Sequence, residues 1–154
     1  MSAADHREIE RKFLVRQLPD DLTRFPHAAI EQGYLALDAN GVQVRLRKAG
    51  TKLTLTCKRN RESAREEREV VLTPEQFEIL WPATSDRRLS KTRYNIPLGH
   101  LVVEIDIYSG RHAGLVVAEV EFAAEEEARN FEPPAWLGED VSFDPRYSNQ
   151  LLAS

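Results

Sequence analysis

Pairs of like-charged side chains two residues apart recur along this chain, each flanking a residue of the opposite phase. Glu8 and Glu10, followed by Lys12, alternate with Ile9, Arg11 and Phe13. Arg45 and Arg47 flank Leu46, Glu67 and Glu69 flank Arg68, and Lys91 and Arg93 flank Thr92. Glu104 and Asp106 flank Ile105, and Glu119 and Glu121 flank Val120. A period of two is the mark of extended strands, whose successive side chains point to opposite faces. Residues i and i+2 then share a face about 6.5 Å apart, so each pair brings two like charges into one space. Lys58 joins the set by phase, opposite Leu53, Leu55 and Cys57. Solvated outer faces of a sandwich are the ordinary home of charged alternation on antiparallel sheets. Such a face usually mixes its signs, because opposite charges on neighbouring strands relieve repulsion. Segregation into acidic pairs and basic pairs, segment by segment, suits faces turned inward around a ligand instead.

The same period runs through most of the chain and predicts an α+β, mainly β domain with eight antiparallel strands. They fall near residues 6–16, 31–38, 42–49, 51–59, 65–73, 90–97, 101–108 and 115–123, with hairpin turns at Asn40-Gly41 and Ala49-Gly50. Helices fill the gaps. Thr73-Pro74-Glu75-Gln76 carries the start signal of one that runs towards Trp81, with Thr73 as cap and Gln76 as its capping-box partner. Residues 124–131 form a second, acidic candidate, and residues 144–152 a third. With 154 residues, 42% of them hydrophobic, and no linker or repeat, residues 1–154 read as one domain with a core of its own.

If the strands close into a barrel with the charged faces inward, the lumen holds carboxylate clusters beside Lys and Arg clusters. A divalent metal neutralises grouped carboxylates, and a polyphosphate neutralises grouped ammonium and guanidinium groups through charge-assisted hydrogen bonds. Oxygen-only ligands favour Mg²⁺ or Mn²⁺ over softer metals. The formal net charge of −4 provides no overall field towards nucleic acid or an anionic membrane. The basic run from Arg59 to Arg68 lacks interleaved aromatics and reads as a solvated turn. One cysteine, Cys57, excludes an internal disulfide, and no segment approaches the ~20 apolar residues of a membrane helix, so the expected setting is cytoplasmic. His6, His27, His100 and His112 show no metal-ligand spacing.

Glu8-Ile9-Glu10-Arg11-Lys12 resembles the ExExK signature of the CYTH superfamily, the triphosphate tunnel metalloenzymes. The resemblance continues in order through Gln32-Gly33-Tyr34-Leu35, Val44-Arg45-Leu46-Arg47, Leu55-Thr56-Cys57-Lys58, Lys91-Thr92-Arg93-Tyr94, Glu119-Val120-Glu121 and Arg146-Tyr147-Ser148-Asn149. It covers nearly the whole chain and matches short bacterial members. It implies an eight-stranded antiparallel β-barrel forming a tunnel, with flanking helices. It further implies that Glu8, Glu10, Glu119 and Glu121 hold the metal, and that Lys12, Arg45, Arg47, Lys58, Lys91 and Arg93 grip the triphosphate. Glu10, Lys12 and Lys91 become the candidate catalytic residues. Glu67, Glu69, Glu104 and Asp106 match acidic tunnel positions without an assigned role.

The activity so implied is metal-dependent hydrolysis of a small-molecule triphosphate, foremost inorganic tripolyphosphate, to diphosphate and orthophosphate. Thiamine triphosphate hydrolysis or cyclisation of ATP is the enzymatic alternative, though no aromatic or Asn/Asp constellation marks a base or thiazolium pocket. A non-catalytic polyphosphate-binding module is a third reading. Against it stand the eight carboxylates of the alternating pairs, which would compete with a bound phosphate.

Overall fold

Alternation is realised as ten antiparallel strands: β1 (Arg7–Glu8), β2 (Glu10–Val15), β3 (His27–Leu37), β4 (Gln43–Ala49), β5 (Lys52–Arg61), β6 (Ala64–Val71), β7 (Arg88–Leu98), β8 (Leu101–Tyr108), β9 (Val116–Glu121) and β10 (Leu137–Asp140). The computed structural model describes the backbone of residues 7–61 and 64–154, and the side chains of residues 9–60 and 65–154. Two compact units divide the chain. One holds β1, residues 30–89 and residues 148–154; the other holds residues 9–29 and 90–147.

In the first unit the ladder runs β1-β6-β5-β4-β3. Its turns are built where sequence allows them: Gly41 and Gly50 adopt φ of 90° and 61°, a region open to glycine and strained for other residues. One face carries Leu46, Leu55 and Val70 and is met by α1 (Pro74–Leu80) and the 3-10 turn Trp81–Thr84. The expected capping box is present, with Gln76 N donating to Thr73 Oγ1 and Thr73 N donating to Gln76 Oε1. Phe77 stacks on Trp81, and Arg88 lies over the Trp81 ring while donating to Thr84 Oγ1 and the Trp81 carbonyl. Gly33 sits where this turn presses closest: a Cβ there would stand 2.5 Å from Thr84 Oγ1.

In the second unit the ladder runs β7-β8-β9-β2-β10. Phe13, Ile96, Val103, Ile105, Ala118 and Val120 share one face and pack with Leu22, Phe122, Leu137 and Ala128 of α2 (Glu125–Asn130) into the unit's hydrophobic core. Arg11 belongs to this apolar phase. It donates to Asp140 and to the carbonyls of Ala128 and Phe131, and its guanidinium lies 5.0 Å from the Phe13 ring centroid. It thereby ties α2 and β10 to β2.

Four expectations change. The first predicted strand begins at residue 6, outside the described residues, and its described part breaks at Ile9 into β1, paired with β6, and β2, paired with β9. β10 is an added strand on β2. The terminal helix is two pieces, a 3-10 turn at Pro145–Tyr147 and α3 (Asn149–Ala153), because Ser148 stops the first and caps the second. The closed ring of eight strands is replaced by ten strands in ladders that stay open: among the described residues β1 has β6 as its one ladder partner and β10 has β2. Among the described residues no helix is long and apolar enough to cross a membrane.

Candidate functional site

Much of the charged phase is buried, although Glu69 and Glu121 are exposed. In the first unit the polar phase of β3, β4 and β5 is buried over much of its length: Gln32, Gln43, Arg45, Thr54 and Thr56 are all buried, while on the other face Leu46 is buried and Leu53 and Leu55 are half-exposed. Register orders these side chains into rows. Tyr34, Arg45, Thr56 and Glu69 form one, Gln32, Arg47 and Thr54 a second, and Gln43, Lys58 and Glu67 a third. Gln32, fully buried, accepts from Arg47 Nε (3.1 Å) and Nη2 (2.9 Å) through one oxygen and donates to the Tyr34 hydroxyl. The Arg47 guanidinium is therefore fixed in plane by a neutral partner.

Arg45 is held more loosely. At 5% exposure its Nη2 reaches Thr56 Oγ1 at 3.5 Å, the limit of a hydrogen bond, and its Nε is buried without a partner. Burying an unpaired polar group costs free energy, and more when it carries charge, so a guanidinium in this state is poised for an anion.

The second unit buries charge in the opposite balance. Lys91, 1% exposed, donates to Asp106 Oδ2 at 2.7 Å beneath the Tyr108 ring. Arg93 grips both oxygens of Asp106 at 2.7 and 2.9 Å and reaches Glu104 at 3.1 Å. Burial pushes the Asp106 carboxyl up, but Lys91 and Arg93 outweigh it and hold the group below the usual aspartate range. Lys12 Nζ donates to the Tyr147 carbonyl (3.0 Å) and lies 3.2 Å from Glu119. Burial pulls this ammonium down, yet the charges of Glu119 and Glu10 lift it above its ordinary value, so it stays protonated.

Register places Glu119 between Lys12 and Glu104, and sets Glu10 directly across from Glu121. Three cations, Lys12, Lys91 and Arg93, thus face five carboxylates, Glu10, Glu104, Asp106, Glu119 and Glu121. In the first unit the sign reverses, with Arg45, Arg47 and Lys58 against Glu67 and Glu69. Of the four expected metal ligands, Glu10 and Glu121 meet as a register pair, while Glu119 is engaged by Lys12. Glu8 stands on β1 opposite Arg65, and its side chain lies outside the described residues. Among the described residues no three His, Cys, Asp or Glu side chains are gathered at metal spacing. His27 bonds the Phe25 carbonyl and His100 pairs with Glu127, away from these rows. Cys57 is exposed on the opposite face from Lys58.

Gln32 and Arg65 both share the charged phase without belonging to a pair of like charges. Gln32 is neutral and so invisible to a search for charge, although it shares the phase of Tyr34. Arg65 belongs to a run whose composition suggests a solvated turn. That run is instead the β5–β6 hairpin, and Arg65 shares the phase of Glu67 and Glu69.

The CYTH domain model matches residues 6–148, through both units. The inorganic triphosphatase of Nitrosomonas europaea is 44% identical over 149 residues, covering 95% of this chain and 96% of the relative. That of Acetivibrio thermocellus is 32% identical, covering 95% and 92%. A crystal structure of an inorganic triphosphatase superposes with a TM-score of 0.70 at 41% identity, covering 95% of this chain and 93% of that one. A Pyrococcus horikoshii protein, 21% identical over 79% of this chain and 83% of its own, shares the fold with a TM-score of 0.59.

Proposed function

The chain belongs to the CYTH family, and on that footing we propose that it is a metal-dependent triphosphatase that cleaves inorganic tripolyphosphate to diphosphate and orthophosphate. The observation that carries the reading is the buried guanidinium of Arg45 with its Nε unpaired. The Nitrosomonas and Acetivibrio relatives match along nearly their whole length and carry the name inorganic triphosphatase, which supports the same choice of substrate.

Phosphoryl transfer asks a protein chiefly for positioning and charge neutralisation. Arg45, Arg47 and Lys58 are the phosphate-binding residues of the first unit, and Gln32 orients Arg47 for a bidentate contact. In the second unit Lys91 and Arg93 are substrate-binding groups held in place by Asp106 and Glu104. Lys12, kept protonated, meets charge that develops on the leaving diphosphate, and Lys91 assists it. Glu67 and Glu69 balance the basic rows.

The second unit's face suits a hard divalent cation. Its donors are carboxylate oxygens, it carries more acids than bases, and Glu10 and Glu121 confront each other as like charges across a register pair. Glu10, Glu119 and Glu121 of that face would hold Mg²⁺ or Mn²⁺, which when bound polarises a phosphoryl oxygen, and Glu8 joins them as a ligand on the family signature alone. Glu10 is also placed to orient water. The exposed thiol of Cys57 fits a cytoplasmic setting, and the family match through both units supports one functional domain over residues 1–154.

The test is a substrate panel with Mg²⁺ and Mn²⁺ read by phosphorus NMR. Tripolyphosphate should yield orthophosphate and diphosphate, faster than thiamine triphosphate or ATP is consumed, and Arg45→Ala should raise its half-saturating concentration. Release of cyclic nucleotide, or tripolyphosphate bound but left intact, would overturn the assignment.

A further inference from the structure

The β5–β6 hairpin sorts its arginines by face. Arg59 and Arg68 point outward and share one carboxylate, Glu66, at 3.1 and 2.9 Å. Arg65 stands in the other phase, that of Glu67 and Glu69, opposite Asn60 on β5 and Glu8 on β1. Its Nε is buried and has no hydrogen-bond partner. Among the described residues the buried side-chain nitrogens and oxygens left in this state are two, Arg45 Nε and Arg65 Nε, and both are guanidinium nitrogens in the charged phase of the first unit's sheet.

A sheet that satisfies its other buried polar groups and leaves two guanidinium nitrogens bare on one face, out of reach of Glu67 and Glu69, can take a further acceptor at each. The two are not one subsite. Arg45 lies in the row of Glu69, and Arg65 is four residues further along β6, which at ~3.3 Å per residue places the rows about 13 Å apart. Lys58, in the row of Glu67, lies between them. Three cations at successive levels of the sheet, one each on β4, β5 and β6, match a linear chain of phosphates better than a compact anion.

We propose that Arg65 is a specificity-determining residue that binds a phosphate of a linear polyphosphate beyond the one held by Arg45, so that it rewards chain length. The inference rests on the triphosphatase reading for its ligand class and adds the residue that discriminates among members of that class. A charge-assisted hydrogen bond at a half-buried guanidinium whose Nε is shut off from water is worth enough that its loss weakens binding about tenfold.

Calorimetric titration of the full chain with diphosphate, tripolyphosphate and tetrapolyphosphate, each in excess EDTA, reads this directly. Arg65→Gln should weaken tripolyphosphate and tetrapolyphosphate about tenfold and leave diphosphate within about twofold. Arg65→Lys, which keeps the charge but not the planar donor, should fall between, and it carries the test if the glutamine variant does not fold. Arg68→Gln, on the outer face, removes an equal charge and should change none of the three. An arginine that only supports the hairpin would lower the melting temperature with all three affinities kept, and that result overturns the proposal. Equal losses for every chain length, or the same losses in Arg68→Gln, overturn it as well. Wild-type hydrolysis separates the two claims. If tripolyphosphate is hydrolysed and Arg65→Gln binds it normally, the Arg65 role fails and the activity stands. If it is bound with the chain-length pattern but not hydrolysed, the activity fails and the Arg65 role stands.

Discussion

Asp106 is the residue on which the second unit's cations depend. It is 1% exposed and receives Lys91 on one oxygen and Arg93 on both, so its removal strands an ammonium and a guanidinium away from water. Breaking a buried ion pair from one side costs about 3–5 kcal/mol, because the remaining charge keeps its desolvation penalty. Asp106→Asn should therefore destabilise the protein by about that amount at pH 7 in chemical denaturation. The pH dependence follows from the carboxyl being held below its ordinary value of 3.8 in the folded chain. A depressed carboxyl contributes stability that is fully present above the unfolded value and is lost as pH falls through the folded one. The gap between wild type and Asp106→Asn should thus be constant from pH 7 to about 5 and shrink below about 4. A gap that widened in acid would mean that Asp106 is protonated when folded.

At the scale of elements, Gly33 shows what a single backbone approach can fix. A methyl group there would meet Thr84 Oγ1 at 2.5 Å and Thr84 Cβ at 2.6 Å, and Thr84 is itself held by its bond to the Trp81 carbonyl and by Arg88. Gly33→Ala should cost about 1–3 kcal/mol by forcing the 3-10 turn off the sheet. Thr84→Gly alone, which removes the Cβ as well as the hydroxyl and methyl groups, should also destabilise. Together the two should be milder than their sum by about 1 kcal/mol or more in a double-mutant cycle, since the glycine vacates the space that the new methyl group enters; strict additivity would show that the turn is free to shift. Elements set by a few adjacent residues are legible in the sequence alone, as the Thr73 cap, the Gly41 and Gly50 turns and the acidic helix show. The break at Ile9 is not legible, because alternation of side chains persists through it while the pairing partner changes, and pairing is a property of two strands. Nor is β10. Its four residues carry no period and are held by β2 and by Arg11, a charged residue in an apolar phase. In the site, like-charged pairs reveal most of the rows because repulsion has to be answered by something. Gln32 carries no charge to answer, and the phase of Arg65 is masked by the basic residues around it.

Across the whole molecule the charged phases divide by sign: bases outnumber acids in the rows of the first unit, and acids outnumber bases in those of the second. A net charge of −4 hides this division. The physical consequence is that polyphosphate binding and cation binding are separable measurements. Glu10 faces Glu121 in register, and like charges directly opposite one another oppose pairing until a cation joins them. Glu10→Gln and Glu121→Gln should each leave the melting temperature in EDTA unchanged or raised, since relief of the repulsion across the register pair offsets the attraction to neighbouring cations such as Lys12 that is lost with the charge. A cation that binds only the folded chain stabilises it by about 2.7 kcal/mol at a hundred times its dissociation constant. Mg²⁺ or Mn²⁺ without phosphate should thus raise the wild-type melting temperature, and both variants should lose most of that rise together with most of their turnover. Glu66→Gln, on the outer face of the first unit, should keep it. Chelation of the wild type should stop hydrolysis and leave tripolyphosphate bound by the guanidinium rows. If Glu10→Gln and Glu121→Gln kept the full thermal response to the cation, the carboxylate pair would not be its site, and the acid excess of the second unit would serve only to balance Lys12, Lys91 and Arg93.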